Sequence, residues 1–202
     1  MTRQLLEGYV GVKYTAVCSS PERSAACVEL HPLFRESGER LLAHDMTPAN
    51  GGNMSQRHGS GFVITASGCN LGRIAEDELV LVVRCSIEDE RVEYTGPRQP
   101  SSEAIMHWLI YRDHPSALAV LHAHDELATS SPVAGDLPET PREEPYGTAA
   151  LARLAAEVFA RGHELIVLKN HGYVVIADDL ARATEIVVRK HLELLERARV
   201  AP

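Results

Sequence analysis

The sequence feature that most constrains the fold is an apolar run ending in two histidines, Ala119-Val120-Leu121-His122-Ala123-His124. A short apolar run of this kind predicts a buried β-strand. Since successive side chains of a strand point to opposite faces, His122 and His124 face the same way, about 6 to 7 Å apart. Such a pair has two explanations: ordinary hydrogen-bonded histidines near a strand end, or two of the three or four ligands that a metal site requires.

Apolar runs and helical periodicity alternate along the chain and predict a mixed α/β fold. We predict helices over residues 20–30, 33–44, 102–112, 147–161 and 178–199, a short helix ending at 130, and strands over 61–65, 78–84, 92–95, 117–121, 165–168 and 173–176. Residues 1–19 have weak periodicity and predict a helix or an irregular lead-in, so residues 1–32 are expected to be lead-in helices. Pro32 is expected to separate the first two helices, because proline disrupts a helix interior. A chain of 202 residues without an evident linker or repeat predicts a single domain over 1–202.

Three polar stretches lie at boundaries between these elements. Residues 46–55 are rich in turn-forming residues, which fits either a plain surface loop or an anion cradle with Asn53 and Ser55 as polar side chains. Ser101 or Ser102 is expected to cap the helix that follows, with Glu103 in its first turn, where free amides suit a phosphate or a carboxylate. Asn170-His171-Gly172 predicts a tight corner that presents His171 at its tip.

Charge and cysteine content exclude several classes of protein. A formal net charge of −8 argues against nucleic acid or an anionic membrane as the main partner. The four cysteines form no Cys-x-x-Cys pair, which indicates neither a thiolate zinc site nor a disulfide framework and favours a reducing cytoplasm. The first residues do not read as a signal peptide, and the longest apolar runs, such as 79–83, are too short to cross a bilayer.

Five separated stretches together resemble the class II aldolase/adducin family. They are Gly51-Gly52-Asn53-Met54-Ser55, Ile64-Thr65-Ala66-Ser67-Gly68, Pro100-Ser101-Ser102-Glu103 with His107 and Tyr111, Val120-Leu121-His122-Ala123-His124, and Leu168-Lys169-Asn170-His171-Gly172. Their order and approximate spacing match the family over residues 33–199. No single stretch is specific, whereas the combination is.

The resemblance implies a metal site, a catalytic acid and a phosphate pocket. It assigns His122, His124 and His171 to a divalent ion, commonly Zn²⁺, with Mn²⁺, Fe²⁺ or Co²⁺ as alternatives, and Glu103 to acid/base catalysis. Independently of the family, three imidazoles with an open fourth position are typical of a catalytic zinc site. The phosphate pocket is matched by Asn53, Ser67, Gly68, Ser101 and Ser102, for which ordinary loop residues are the alternative.

The activity that the resemblance implies is zinc-dependent cleavage of a small phosphorylated ketose, similar to L-fuculose phosphate. The products would be dihydroxyacetone phosphate and an aldehyde, formed through an enediolate whose charge the metal stabilises. The same site suits a dehydratase of the methylthioribulose-phosphate type or a sugar-acid-phosphate decarboxylase. A non-catalytic module like the adducin head lacks the metal ligands, so the three histidines and Glu103 argue against that alternative.

The resemblance also implies an architecture, and the chain departs from the family in one region. The expected fold is a three-layer α/β/α domain around a mainly antiparallel sheet, assembled as a homotetramer with sites at subunit boundaries. Between His124 and Asn170 the connection is shorter and rich in proline, and the family tyrosine that protonates the aldehyde side has no counterpart there. Tyr146 matches a different position. The metal-binding half of the mechanism is therefore matched, and the leaving-group half is not.

Overall fold

A computed structural model describes residues 12–47, 50–130, 135 and 137–200. Eight strands form one sheet: β1 (Thr15–Ser20), β2 (Asn53–His58), β3 (Gly61–Thr65), β4 (Leu79–Ser86), β5 (Arg91–Thr95), β6 (Ala119–Ala123), β7 (Leu165–Leu168) and β8 (Gly172–Ala177). Their spatial order is β1-β5-β4-β3-β2-β6-β8-β7. Every neighbouring pair is antiparallel except β1 and β5, which are parallel. The predicted α/β class with a mainly antiparallel sheet is confirmed.

Five helices cover the two faces of this sheet. They are α1 (Ala25–Leu42), α2 (Ala104–Asp113), α3 (Glu126–Ser130), α4 (Ala149–Phe159) and α5 (Leu180–Val200). Helices α2 and α4 pack together on one face, and α1 and α5 pack together on the other. None of the helices in the described residues is long and apolar enough to cross a membrane.

The alternation of side chains along the strands assigns each residue to one of the two helical layers. On β6, Val120 belongs to the apolar core under α2 and α4, whereas Leu121 belongs to the core under α1 and α5. His122 therefore lies on the α2/α4 face, two residues beyond Val120. The same alternation on β2 places Met54 in the α1/α5 core and its neighbours Asn53 and Ser55 on the α2/α4 face.

The N-terminal part of the chain differs from the sequence prediction. The predicted helical or irregular lead-in is wrong for Thr15–Ser20, which forms the edge strand β1; residues 1–11 lie outside the described part of the chain. The predicted break at Pro32 is also wrong, because α1 runs without interruption from Ala25 to Leu42. Its N-cap is Ser24, whose side chain accepts a hydrogen bond from the Cys27 amide, instead of the predicted Ser20. Burial of Phe34 and Leu41 along one side of this helix outweighs the local cost of the proline.

The predicted loop over residues 46–55 is wrong for its last three residues, and residues 48 and 49 lie outside the described part of the chain. From Asn53 onwards the chain is a strand, β2, which lies inside the sheet between β3 and β6. The polar residues that suggested a loop, Asn53 and Ser55, are buried. Buried polar groups require partners, and those partners belong to the site described next.

Candidate metal centre

Three histidines at or near the ends of neighbouring strands meet at one end of the sheet. His122 is on β6, His124 follows the end of that strand, and His171 is in the turn between β7 and β8. Because β6 and β8 are antiparallel with His122 opposite Val174, the end of β6 lies beside the start of β8. The turn is held by a hydrogen bond from the His171 amide to the Leu168 carbonyl, and Asn170 adopts φ +58° there. His171 is thus at the tip of the predicted hairpin.

The spacing of the three rings fits a single metal ion. Their centroids are 4.8 to 5.1 Å apart, and one nitrogen from each ring lies within 4.8 Å of the other two. The Nε2 atoms of His122 and His124 are 3.1 Å apart. Two nitrogens bound to one tetrahedral zinc at about 2.0 to 2.1 Å are separated by about 3.3 Å. The histidine pair therefore matches the edge of a zinc coordination tetrahedron.

The protonation of these rings also suits a metal. The Nδ1 of His122 lies 2.7 Å from the Tyr173 carbonyl oxygen, which can only accept a hydrogen bond, so Nδ1 carries the proton and Nε2 is free to bind a cation. Burial, followed by repulsion from the neighbouring histidines, lowers the pKa of His124 to about 3. Burial likewise lowers the pKa of His171, to about 4. Neutral imidazole at pH 7 is the form that binds metal.

Glu103 lies against this cluster at the start of α2. Its Oε2 is 3.4 Å from the Nε2 of His122 and accepts a 2.7 Å hydrogen bond from the Asn53 side chain. Burial favours a higher pKa, but electrostatic interactions with His122 and His171 and the Asn53 hydrogen bond outweigh it and hold the pKa of Glu103 well below its usual range. Its Oε1 is buried and has no hydrogen-bond partner among the described residues. One carboxylate oxygen is thus held by Asn53, and the other is available to a ligand as far as the described residues show.

The helix start at Glu103 differs in detail from the prediction. Glu103 itself is the N-cap of α2, without a side-chain capping bond, and neither Ser101 nor Ser102 occupies that position. The Ser101 hydroxyl instead accepts a hydrogen bond from the Glu103 amide at 3.3 Å. His107, expected to be a packed or hydrogen-bonded residue, is fully buried and hydrogen-bonded to Asn53 and Ser55.

The remaining residues assigned to a phosphate pocket lie on two adjacent segments. The Ser67 amide donates to the Gln99 carbonyl, and the Ser101 amide donates to the Thr65 carbonyl, so the 66–68 turn runs beside the 99–101 segment. Gly68 has φ +74° in this turn, and Ser102 is half-buried at the start of the helix. Asn53 is on β2, opposite His122, and its side chain is hydrogen-bonded to Glu103, the residue after Ser102. Phosphate binding by this set stays a prediction.

Lys13 is a site residue that the sequence did not reveal. Its Nζ donates a 2.6 Å hydrogen bond to the Tyr146 carbonyl and lies 3.9 Å from the centroid of the Tyr146 ring. Its charge is among the influences that lower the pKa of His171. The adjacent Gly147 lies so close to the Ser102 carbonyl that an added Cβ would be 2.9 Å from it. No sequence motif marks Lys13, because its neighbourhood depends on contacts with residues more than 80 positions away.

The assembled groups can perform metal-assisted proton transfer. Three histidines can hold a divalent ion, and next to them lies a carboxylate with one oxygen that has no hydrogen-bond partner among the described residues. A half-buried cation and several hydroxyl and amide donors flank the same end of α2. This combination suits polarisation of a substrate carbonyl together with proton movement at an adjacent carbon.

Comparisons with known proteins give consistent results. A family model described as "Class II Aldolase and Adducin N-terminal domain" matches residues 34–198. A methylthioribulose-1-phosphate dehydratase from Methylococcus capsulatus is 37% identical over 46% of this chain, and the match spans 44% of that protein. An L-fuculose phosphate aldolase from Methanocaldococcus jannaschii is 28% identical over 71% of this chain and 82% of its own length.

Two further comparisons widen the range of reactions among the relatives. A 3-oxo-tetronate 4-phosphate decarboxylase from Haemophilus influenzae is 27% identical over 76% of this chain and 79% of its own length. Among solved structures, an L-fuculose 1-phosphate aldolase superposes with a TM-score of 0.69 and 27% identity, covering 89% of this chain and 90% of that one. The relatives named here are therefore enzymes that carry out three different reactions.

Proposed function

The chain belongs to the class II aldolase and adducin family, and from its histidine cluster and Glu103 we propose that it is a divalent-metal-dependent lyase acting on a small phosphorylated ketose. The observation that carries the proposal is the meeting of His122, His124 and His171 beside a carboxylate with a free oxygen. An adducin-like module without catalytic activity would not require this arrangement.

Zn²⁺ is the proposed resident ion. The chemistry it would supply is Lewis-acid polarisation of a carbonyl oxygen, with stabilisation of the negative charge that develops there. The donor set of three nitrogens with an open fourth position is typical of catalytic zinc, and Mn²⁺, Fe²⁺ or Co²⁺ are the alternatives.

Glu103 is the proposed acid/base. Its Oε2 is fixed by Asn53, so the buried Oε1 is the oxygen that takes a proton from the substrate and later returns one. The His122 contact keeps the carboxyl beside the metal ligands and therefore beside the substrate carbon that loses the proton. Such proton transfer typically contributes a factor of about 10² to 10⁴ to the rate.

Substrate phosphate is proposed to bind at the start of α2. The Ser101 and Ser102 segment, the Ser67-Gly68 turn and the half-buried ammonium of Lys13 supply hydroxyls, backbone amides and a positive charge around that position. A protein with a net charge of −8 needs such local groups to bind an anion.

Two reactions on this site are supported about equally. Aldol cleavage to dihydroxyacetone phosphate and an aldehyde fits the fuculose-phosphate relatives and the structural neighbour. Dehydration of methylthioribulose 1-phosphate fits the relative with 37% identity. Decarboxylation of a sugar-acid phosphate is a third use of the same groups. We further propose a cytoplasmic homotetramer of single-domain subunits with sites at subunit boundaries, as in the family.

Product analysis on the zinc-loaded protein separates these reactions. We expect either dihydroxyacetone phosphate from short ketose 1-phosphates, detected by coupled reduction, or a dehydrated diketone phosphate, detected by mass spectrometry. Carbon dioxide release from a keto-acid phosphate would instead identify a decarboxylase. Absence of all three products in a protein that retains metal would contradict the proposed activity.

Two pairs of variants test the assigned residues. His122→Ala is expected to abolish metal retention, whereas His58→Ala, on an exposed residue of β2, is its control. Glu103→Gln is expected to retain metal and lose turnover by about 10²-fold or more, and Glu157→Gln on the exposed side of α4 is the control. Full activity of Glu103→Gln would remove Glu103 from the mechanism.

A further inference from the structure

Five buried side chains, of which Glu103 is the first, form a continuous hydrogen-bonded series. Asn53 Nδ2 is 2.7 Å from Glu103 Oε2, and Asn53 Oδ1 is 2.6 Å from His107 Nε2. The other ring nitrogen of His107 is 2.6 Å from the Ser55 hydroxyl, which is 2.9 Å from the Tyr111 hydroxyl. All five residues are buried.

The series arises from the matched spacing of a helix and a strand. Glu103, His107 and Tyr111 follow one another at intervals of four along α2 and are therefore on one side of it, about 6 Å apart. Asn53 and Ser55 are two residues apart on β2 and point to the same face, about 6.6 Å apart. Side chains from the two elements consequently alternate, with Asn53 between Glu103 and His107 and with Ser55 between His107 and Tyr111.

The direction of each hydrogen bond follows from the chemistry of Glu103. A carboxylate oxygen accepts, so the Asn53 atom that faces it is the amide nitrogen, and Asn53 Oδ1 must face His107. The oxygen of Asn53 also only accepts, so His107 carries its proton on Nε2. A neutral ring then has a bare Nδ1, which accepts from Ser55, and the Ser55 oxygen accepts from Tyr111.

We propose that His107, supported by Ser55 and Tyr111, is a positioning residue that fixes the Asn53 amide and thereby aims the free oxygen of Glu103 at the substrate. The amide of an asparagine has two orientations of similar shape. His107 selects the orientation that donates to Glu103, because the reversed amide would place two acceptors against each other at Glu103 and two donors against each other at His107. The catalytic role of His107 rests on the proposed function, whereas the tautomer of its ring does not depend on it.

The role assigned here to Asn53 differs from phosphate binding but does not compete with it for the same atoms. Asn53 Oδ1 and one hydrogen of Nδ2 are engaged with His107 and Glu103. The second Nδ2 hydrogen is available to a ligand. Asn53 can therefore hydrogen-bond the substrate and, at the same time, Glu103 Oε2, which is the carboxylate oxygen that does not take the proton.

Ring nitrogen NMR on histidine-labelled protein tests the tautomer directly. We expect His107 to show a protonated Nε2 and a bare Nδ1, both in the metal-free protein and after addition of Zn²⁺. Tyr111→Phe and Ser55→Ala both leave Asn53 Oδ1 as an acceptor opposite His107 Nε2, so both variants are expected to keep this tautomer. A parent His107 protonated on Nδ1 would reverse the Asn53 amide and overturn the proposal, whatever reaction the enzyme performs.

Kinetic variants test whether the series positions Glu103. His107→Gln is expected to lower kcat by about 10- to 100-fold, with KM and zinc content unchanged. In a Glu103→Gln background, the same change is expected to have no further effect on kcat. Its matched control is His114→Gln at the end of the same helix, where the ring Nε2 has no hydrogen-bond partner among the described residues.

Tyr94→Phe is the control for Tyr111→Phe, because Tyr94 is a buried tyrosine in the same apolar core but outside the series. Equal kcat in His107→Gln and parent, or an equal further loss in the Glu103→Gln background, would contradict positioning through Glu103. If His107→Gln fails to fold, Ser55→Ala, which removes a hydrogen bond to His107, provides the same kinetic test.

Discussion

Replacing Gly172 with alanine is predicted to weaken metal binding without altering any ligand. Gly172 follows His171 directly and begins β8, which pairs with β6. A Cβ at this position would lie 2.4 Å from the Ala123 carbonyl oxygen and 3.2 Å from Cε1 of the His122 ring. The first contact is with backbone and cannot be relieved by a side-chain rotation.

The size of the effect follows from these distances. Real Cβ atoms essentially never approach another heavy atom to less than 3.0 Å, so the start of β8 must move away from the end of β6 by at least about 0.6 Å. Zinc–ligand distances are held to within about 0.2 Å. The displacement therefore separates His171 from His122 and His124 by more than the ion tolerates, and we expect an affinity loss of about 10- to 100-fold, the cost typical of disturbing groups that orient metal ligands.

Competition with a chromophoric zinc chelator measures this affinity, and thermal unfolding of the metal-free protein checks folding. The control is Gly59→Ala in the exposed turn between β2 and β3, where φ is +57° and nothing lies within 4 Å of an added Cβ. That variant should lose about 1 to 2 kcal/mol of stability from its left-handed backbone and keep the parent's zinc affinity. Parent-like affinity in folded Gly172→Ala would refute the reasoning from ligand geometry.

Three other perturbations have defined outcomes. Removal of metal by a chelator should lower Tm by about 5 to 10 °C relative to protein with zinc at about 100 times Kd. An unchanged Tm would contradict a metal site that exists only in the folded protein. Burial lowers the pKa of His107 and of His124 to about 3 and that of His171 to about 4. Below about pH 6.5 only the unfolded chain takes up these protons, so each of the three groups should remove about 2 kcal/mol of stability between pH 7 and 5. Urea unfolding of metal-free protein at the two pH values measures this loss, and a constant midpoint would contradict it. Gly38→Ala should cost about 1 to 3 kcal/mol or more, because its Cβ would lie 1.8 Å from the Leu71 carbonyl oxygen, and a calorimetric Tm equal to the parent's would argue against this contact.

The sequence predicted the structure correctly where the local residue pattern and the tertiary surroundings favour the same conformation. Alternation along β6 places His122 and His124 on one face, and the apolar runs of β3, β4, β7 and β8 predict buried strands near their observed positions. The family motifs also identified His171 and Glu103 as partners of that pair. The strands and the His122–His124 pair depend on residues that are close together in the chain. The pairing with His171 and Glu103 could be predicted because the family resemblance already implies that these distant residues meet in the fold.

The sequence failed where tertiary partners override a local signal. Asn53 and Ser55 predict a loop because polar residues favour solvent, yet they lie in an inner strand where Glu103, His107 and Tyr111 satisfy them. Thr15–Ser20 has no strong periodicity and becomes a strand by pairing with β5. Pro32 is tolerated inside α1 because the helix is held by its buried side.

Local patterns along the chain predict the chemical groups of the metal site and place His122 and His124 on one face of their strand. The packing of the whole chain brings the end of β6 beside the turn before β8 and interleaves one side of α2 with β2. The physical reason is that backbone periodicity acts over a few residues, whereas the pairing of distant strands and the burial of polar groups depend on the free energy of the whole packed chain.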